Sequence, residues 1–187
     1  HVGRAAFELL KDCGYTVIAS SDGCCQRPRI SHGYLRVAKK DGTQTLRQLD
    51  RYMQDGITVV GCEPSCISAL NDDLPDLVDS DELAERARRQ IMMIDQFIAA
   101  ERAAGHIHCD FESEADILIH GHCHQKSLYS TAPMKDILRA SGATVSEVDS
   151  GCCGMAGSFG YETEHYEISR KIGERRLFPA VRAQQNA

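Results

Sequence analysis

Tryptophan is absent from this 187-residue sequence, and proline is scarce at 5 residues. With 42% hydrophobic and 26% charged residues and 15 glycines, the composition excludes a disordered chain and a fibrous repeat. No run approaches the roughly 18 consecutive apolar residues of a membrane-spanning helix. The first residues lack the basic, apolar, small-residue order of a secretory signal, so the expectation is a cytoplasmic protein, able to sit peripherally at the inner membrane. Positive charge is in deficit: the formal net charge is −6 with Lys and Arg scattered, which removes the electrostatic footprint of a nucleic-acid binder. Phosphate-binding loops are also missing, since neither G-x-x-x-x-G-K-[ST] nor a strand followed by G-x-G-x-x-G occurs.

What is abundant is cysteine. The count of nine is odd, and two of the pairs are vicinal, Cys24-Cys25 and Cys152-Cys153. Nothing indicates secretion, so metal or redox chemistry accounts for them better than a disulfide framework does. Around them, short Val/Ile/Thr-rich runs at residues 15–20, 57–61, 116–120 and 143–148 read as strands. Helices are expected at 2–11, 43–54, 81–104, 133–140 and 163–177. In the third of these, Leu83, Ala87, Ile91, Ile94 and Ile98 make an apolar stripe, with Met92 and Met93 as packing residues. The acidic run 71–82 reads as a solvated linker and helix start, with Asp79 or Ser80 as N-cap.

Residues 9–25, LLKDCGYTVIASSDGCC, align without a gap on residues 137–153, ILRASGATVSEVDSGCC, at a constant offset of 128. The identities include Gly14/Gly142, Thr16/Thr144, Val17/Val145, Gly23/Gly151, Cys24/Cys152 and Cys25/Cys153. Each copy runs helix, glycine, strand, then a Gly-Cys-Cys turn, so the cysteines leave the end of a strand, where open α/β sheets place their ligands. The fold class is therefore α/β, with two pseudo-repeated Rossmann-like βα units carrying cysteine motifs at the strand C-terminal ends. The offset projects Cys123 ahead of His1 and projects Cys62 and Cys66 past Ala187. The reading is of one cysteine-rich domain over 1–187, truncated at both ends, with pseudo-repeats at about 1–78 and 115–187 joined by a helical linker at 79–114.

In the first copy, Cys24 and Cys25 are followed by Cys62-Glu-Pro-Ser-Cys66 at the end of the next strand. Thiolate sulfur suits zinc and iron–sulfur clusters and is a poor match for Mg²⁺ or Ca²⁺, and four converging cysteines serve either. Vicinal side chains point apart in extended chain, so they reach different atoms of a cluster more easily than a single small ion. In the second copy Cys123, inside His120-Gly-His-Cys-His124, is joined by Cys152 and Cys153 of Gly151-Cys-Cys-Gly-Met-Ala-Gly-Ser-Phe-Gly160. Gly154 and Gly157 leave backbone N–H groups free to approach anionic sulfur. On a strand, His120, His122 and His124 would share one face, where one of them could complete a zinc set; hydrogen bonding at a strand end is the alternative. Lys126, Arg27 and Arg29 lie beside the thiols, as thiolate-favouring charges or as solvated ones. Cys13 and Cys109 fall outside the repeated pattern and read as ordinary residues.

These residues resemble the CCG cysteine-rich domain found in heterodisulfide reductase, in the iron–sulfur subunits of glycolate oxidase and anaerobic glycerol-3-phosphate dehydrogenase, and in fused FAD-linked D-2-hydroxy-acid dehydrogenases. The stretch 151–160, His165-Tyr-Glu and Lys171-Ile-Gly-Glu174 are closest to the fused dehydrogenases. The resemblance implies an oxidoreductase in which FAD on another domain or subunit oxidises a D-2-hydroxy acid and electrons pass onward to a quinone or carrier. It implies an iron–sulfur cluster of 4Fe–4S type, cubane or non-cubane, ligated by Cys24, Cys25, Cys62 and Cys66, with a second centre at Cys123, Cys152 and Cys153 where some members hold zinc. A zinc-stabilised structural or docking domain of the same kind of enzyme is the alternative. The chain by itself is not expected to be catalytic. Departures from the pattern are a C-x₃-C knuckle, Gln26 in place of the glycine after Cys25, and the lack of a leading cysteine in the first copy and of a knuckle in the second.

Overall fold

Parallel strands cannot be joined by a tight hairpin and need a crossover, usually helical. Both sheets among the described residues are of that kind. The structure is a computed structural model; it describes residues 1–107 and 112–185 and divides into two compact units, His1–Cys109 and Asp110–Ala187.

The first unit contains α1 (Val2–Asp12), α2 (Arg27–Ser31), α3 (Leu35–Gln54), β1 (Val59–Gly61), α4 (Pro64–Ser68), a π-helical turn (Ala69–Asp73), α5 (Leu74–Leu77), α6 (Asp81–Gln90), β2 (Ile91–Met93) and α7 (Ile94–Ala103). β1 and β2 pair in parallel, Val59 opposite Ile91 and Gly61 opposite Met93. Leu46 and Met53 of α3, Leu74 of α5 and Ile91 of β2 have almost no exposed surface and belong to the core of this unit. A Cβ at Gly42 would lie 2.3 Å from Leu74 Cδ2, so the glycine lets α5 press onto α3.

Three expectations change here. The helix expected over 81–104 is broken, because Ile91–Met93 leaves it to pair with β1. Tertiary pairing overrides a helical period when the segment is β-branched at its start and buried on the sheet. The side chain of Asn71 donates to the Ile91 carbonyl (2.8 Å) and that of Gln96 accepts from the Met93 amide (3.1 Å), so the backbone freed from the helix is satisfied. Met92 and Met93 are thus strand residues. The described stretch 79–107 of the expected linker is no linker either, since α6, β2 and α7 belong to the first unit's own fold. Its start is capped as expected, Ser80 Oγ accepting from the Leu83 amide. Lastly, residues 15–20 join no ladder.

The second unit contains β3 (Asp116–Ile119), a π-helical turn (Gln125–Tyr129), α8 (Ala132–Ala140), β4 (Thr144–Glu147), a 3₁₀ turn (Phe159–Tyr161), α9 (Tyr166–Glu174) and α10 (Leu177–Gln185). β3 and β4 are parallel, Asp116 opposite Thr144 and Ile119 opposite Glu147. The helix expected over 163–177 starts later and gives way to α10. Gly14 and Gly142, which follow α1 and α8, are both left-handed, at φ +89° and +97°. That conformation turns a helix end sharply, and glycine adopts it without strain.

Candidate metal centres

Residues 15–20 and β1 both run towards cysteines, the first towards Cys24-Cys25 and the second into Cys62. α4 then begins on Pro64, with the Glu63 carboxylate accepting from the Ser65 amide (3.1 Å), and this turn carries Cys66 inward. The Sγ atoms of Cys25 and Cys66, 41 positions apart in sequence, come within 3.1 Å of each other. Cys25, Cys62 and Cys66 line one cavity, while Cys24 is exposed. Of the four residues expected to gather, the structure therefore brings Cys25 and Cys66 into contact and Cys62 to the same cavity wall. Among the described residues, however, no three of the four thiols lie within 4.8 Å of one another.

Burial shapes the chemistry of these thiols. It raises Cys62 above the ordinary thiol value, and it pushes Cys66 up to about 12, helped by its contact with Cys25 and by the neighbouring Glu63 and Cys24. Without a cation, Cys66 is a protonated thiol at neutral pH. A soft metal supplies the missing positive charge, and its ligand thiols are deprotonated outright. This donor set suits zinc or iron and does not suit a hard, oxygen-seeking cation.

The vicinal turn is held by Arg27 and Arg29, which the sequence placed beside the thiols, and by partners such as Thr45 and Asp73, which it did not single out. Gly23 has φ +74°, and a Cβ there would lie 2.2 Å from Thr45 Oγ1. The turn thus packs directly on α3, where the Thr45 hydroxyl accepts from the Cys24 amide (3.3 Å). Arg27 reaches from α2 to the Ser65 carbonyl (3.1 Å), Ser68 Oγ (2.9 Å) and the Asp73 carboxylate. It therefore clamps the Cys24-Cys25 segment to the helix bearing Cys66. Arg29 donates to Gln26 Oε1 (2.7 Å) and pairs with Asp41. Gln26 is buried and left-handed, at φ +63°, and its amide donates to the Cys24 carbonyl (3.0 Å). No local sequence signal marks Thr45, Ser68 or Asp73 as partners of the turn; they come from elements up to 46 positions away.

In the second unit the strand ends at Ile119, and Cys123 and His124 already belong to the helical turn that continues through Tyr129. The alternation expected for His120, His122 and His124 therefore does not hold. Val148 still donates to the Ile119 carbonyl (2.8 Å), after which the chain leaves the sheet. His120 Nδ1 instead meets Ser150 Oγ (2.7 Å), and burial, aided by Lys126, favours its neutral form. His122 Nδ1 accepts from the His124 amide (3.2 Å) and lies 4.0 Å from Cys123 Sγ. Lys126 donates to the Ser150 carbonyl and to that of Gly151 (3.3 Å), which ties the second Gly-Cys-Cys turn to the segment after Cys123.

Cys123 and Cys152 are exposed and Cys153 is half-buried; among the described residues the three do not lie within 4.8 Å of one another. The Gly154 amide donates to Cys152 Sγ (3.3 Å), an anion-stabilising contact of the kind expected of this glycine. Gly154 also has φ +96°, and a Cβ there would lie 2.3 Å from the Ser169 carbonyl oxygen of α9. Gly157 is left-handed at φ +70° and faces open space. Cys13 is disulfide-bonded rather than an ordinary thiol, and Cys109 lies outside the described residues.

Comparison with known proteins agrees with these motifs. Residues 117–184 match the family model "CCG: Cysteine-rich domain". Over 175 residues the chain is 25% identical to a subunit of the anaerobic glycerol-3-phosphate dehydrogenase of Escherichia coli K12, covering 92% of this chain and 44% of that protein. It is 26% identical to D-2-hydroxyglutarate dehydrogenase of the same organism over 144 residues, 76% of this chain and 14% of the relative. It is 25% identical to lactate utilization protein A of Geobacillus kaustophilus over 184 residues, 92% and 74% of the two chains. The chain therefore spans less than half the length of the first two of these relatives. No solved structure matches it. Residues 117–184, the part of the chain that matches the CCG family model, hold Cys123, the second Gly-Cys-Cys turn and the glycines after it.

Proposed function

We propose that this protein is an electron-transfer domain of an FAD-linked oxidoreductase acting on a D-2-hydroxy acid or a similar alcohol. In this reading Cys24, Cys25, Cys62 and Cys66 hold an iron–sulfur cluster of the 4Fe–4S type, and Cys123, Cys152 and Cys153 contribute to a second metal centre. The observation that carries it is the meeting of Cys25 and Cys66 at 3.1 Å, from elements 41 positions apart, at the wall of one cavity. Such a centre supplies one-electron transfer, so the domain would pass electrons from a flavin domain or subunit to a quinone or soluble carrier. The chain's part is to position sulfur: Arg27 and Thr45 hold the vicinal turn in the first unit, and Lys126 and Gly154 do so in the second. The relatives, two of them dehydrogenases by name, support an oxidoreductase setting.

The test is anaerobic reconstitution with ferrous iron and sulfide. We expect charge-transfer absorption and a low-temperature EPR signal on reduction, both lost in Cys25→Ser and Cys66→Ser while the helical circular dichroism persists. A protein that takes up no iron overturns the proposal. Uptake of zinc alone, with unfolding on chelation, would replace it with a structural role.

A further inference from the structure

Charges that look scattered along the chain gather where a helix winds them together. α3 is 20 residues long, and at about 100° per residue Arg36, Lys40, Arg47 and Arg51 fall within about 60° of one another on its surface, along a stripe of about 22 Å. All four are exposed. The two acids of the helix are turned to other partners, Asp41 to Arg29 and Asp50 to Arg86 (2.7 Å). Among the described residues, Arg51 alone of the four cations meets a carboxylate, that of Asp22 (3.2 Å). Lys40, Arg47 and Arg51, with the neutral side chains of Thr43, Gln44 and Gln48, line a shallow groove along this face.

A chain of formal charge −6 thus presents a local positive field on one helix face, which attracts negative charge and steers its approach. The inner side of α3 is committed to the core, where Ala38, Leu46, Leu49 and Met53 are buried. Exposed apolar side chains on the helix are confined to its first turn, Leu35 and Val37. A face rich in charge and poor in apolar surface suits a transient partner, because permanent interfaces are larger and more hydrophobic whereas electron-transfer encounters are small. It has no continuous apolar stripe to sink into a bilayer. The same helix carries the first vicinal turn on its other side, where the Thr45 hydroxyl accepts from the Cys24 amide (3.3 Å), and Arg51 reaches round to Asp22, two positions before Cys24. A partner on the stripe is therefore separated from these thiols by the width of one helix, about 10 Å.

We propose that the face of α3 bearing Arg36, Lys40, Arg47 and Arg51 docks a small acidic electron-carrier protein. Carboxylates of the carrier enter the groove beside Lys40 and Arg47, where charge complementarity speeds the encounter and fixes its orientation. That the partner carries electrons rests on the electron-transfer reading; the sign of its charge rests on the stripe alone.

Amide chemical-shift mapping on the metal-free chain, titrated with oxidised flavodoxin as an acidic, diamagnetic carrier, tests the docking. Shifts should concentrate at residues 36–51, and the affinity should fall at least about tenfold between about 20 and about 200 mM salt. The triple variant Arg36→Glu, Lys40→Glu, Arg47→Glu changes exposed positions only and should weaken binding at low salt by at least about tenfold. Retained helical circular dichroism and retained exchange protection of Leu46 and Leu49 report that the variant is folded. Cytochrome c, a basic carrier, should not bind. Absence of shifts with flavodoxin, shifts located off α3, unaltered affinity in the triple variant or equal binding of cytochrome c overturns the proposal. So does tighter attachment through the same residues to phosphatidylglycerol vesicles, which assigns the face to a membrane surface instead. Docking is read without a cluster and iron uptake without a carrier, so this surface and the electron-transfer reading fail separately.

Discussion

The two Gly-Cys-Cys turns carry the same three residues and are held by different means. After Cys25 the chain must enter a left-handed conformation, and Gln26 does so at φ +63°; after Cys153 the equivalent residue is Gly154, at φ +96°. Gln26 offsets the strain of a side chain there by bonding the Cys24 carbonyl and receiving Arg29. Gly154 cannot carry a side chain, because the Ser169 carbonyl of α9 occupies its place. Ahead of the cysteines the pattern reverses. Gly23 is left-handed and pressed on Thr45, whereas Gly151 faces open space. One local motif is thus compatible with two tertiary supports, and what each glycine contributes depends on what packs behind it.

The sharpest way to break this comparison is Gly154→Ala. Its Cβ would meet a backbone oxygen that cannot rotate away, and we expect a loss of about 3 kcal/mol in urea denaturation. The mirror change, Gln26→Gly, relieves strain while losing two hydrogen bonds and should shift stability by less than about 1 kcal/mol. Equal costs for the two would refute the contrast.

Next in size is Arg27→Ala, which removes the donor shared by Ser65, Ser68 and Asp73. A loss of about 2 kcal/mol is expected, with faster amide exchange in α4. Lys126→Ala, whose donor reaches two carbonyls, should cost about half as much. If α4 exchanges unchanged in the Arg27 variant, the clamp is not one.

Gly23→Ala against Gly151→Ala separates the turns a third time. The first should lose about 1.5 kcal/mol and the second stay within about 0.5 kcal/mol, read as thermal shifts of otherwise identical proteins.

The smallest effect distinguishes the units by acid. Arg86 hydrogen-bonds Asp50 and holds its carboxyl below the usual range against the opposing effect of burial; Lys135 does the same for Glu147. A carboxylate whose folded pKa is depressed adds stability at neutral pH, and that stability disappears as pH falls through the folded value. Asp50→Asn should therefore lower the urea midpoint at pH 7 and much less at pH 3, in probes from the first unit. Glu147→Gln should do so in probes from the second. A pH-independent effect would show that the charge is not what these residues contribute.

How much of this was legible beforehand follows from the range of each interaction. Strands at 59–61, 116–119 and 144–147 sit inside the expected runs, because β-branched alternation and flanking turn residues act over a few positions. The same reasoning read 15–20 as a strand, but a strand needs a neighbour, and no ladder forms there. It read 81–104 as one helix, because Ile91 keeps the helical spacing; only the proximity of β1 draws Ile91–Met93 out of it. The histidines after β3 looked alternate only while the strand was assumed to continue past Ile119. The thiols themselves could be found from repetition and Arg27 from its place beside them, whereas Thr45 and Asp73 could not.

By itself, the sequence determined the chemistry available to this protein: soft sulfur donors in repeated vicinal turns, each delivered by a short β-branched run and a glycine. Those features are local, so nearest-neighbour sterics and residue type suffice to specify them. The tertiary structure alone decided which sulfurs meet, Cys25 with Cys66, and what the cations beside the turns grip, because each of these joins residues that are distant in the chain and are brought together only by burial of the core.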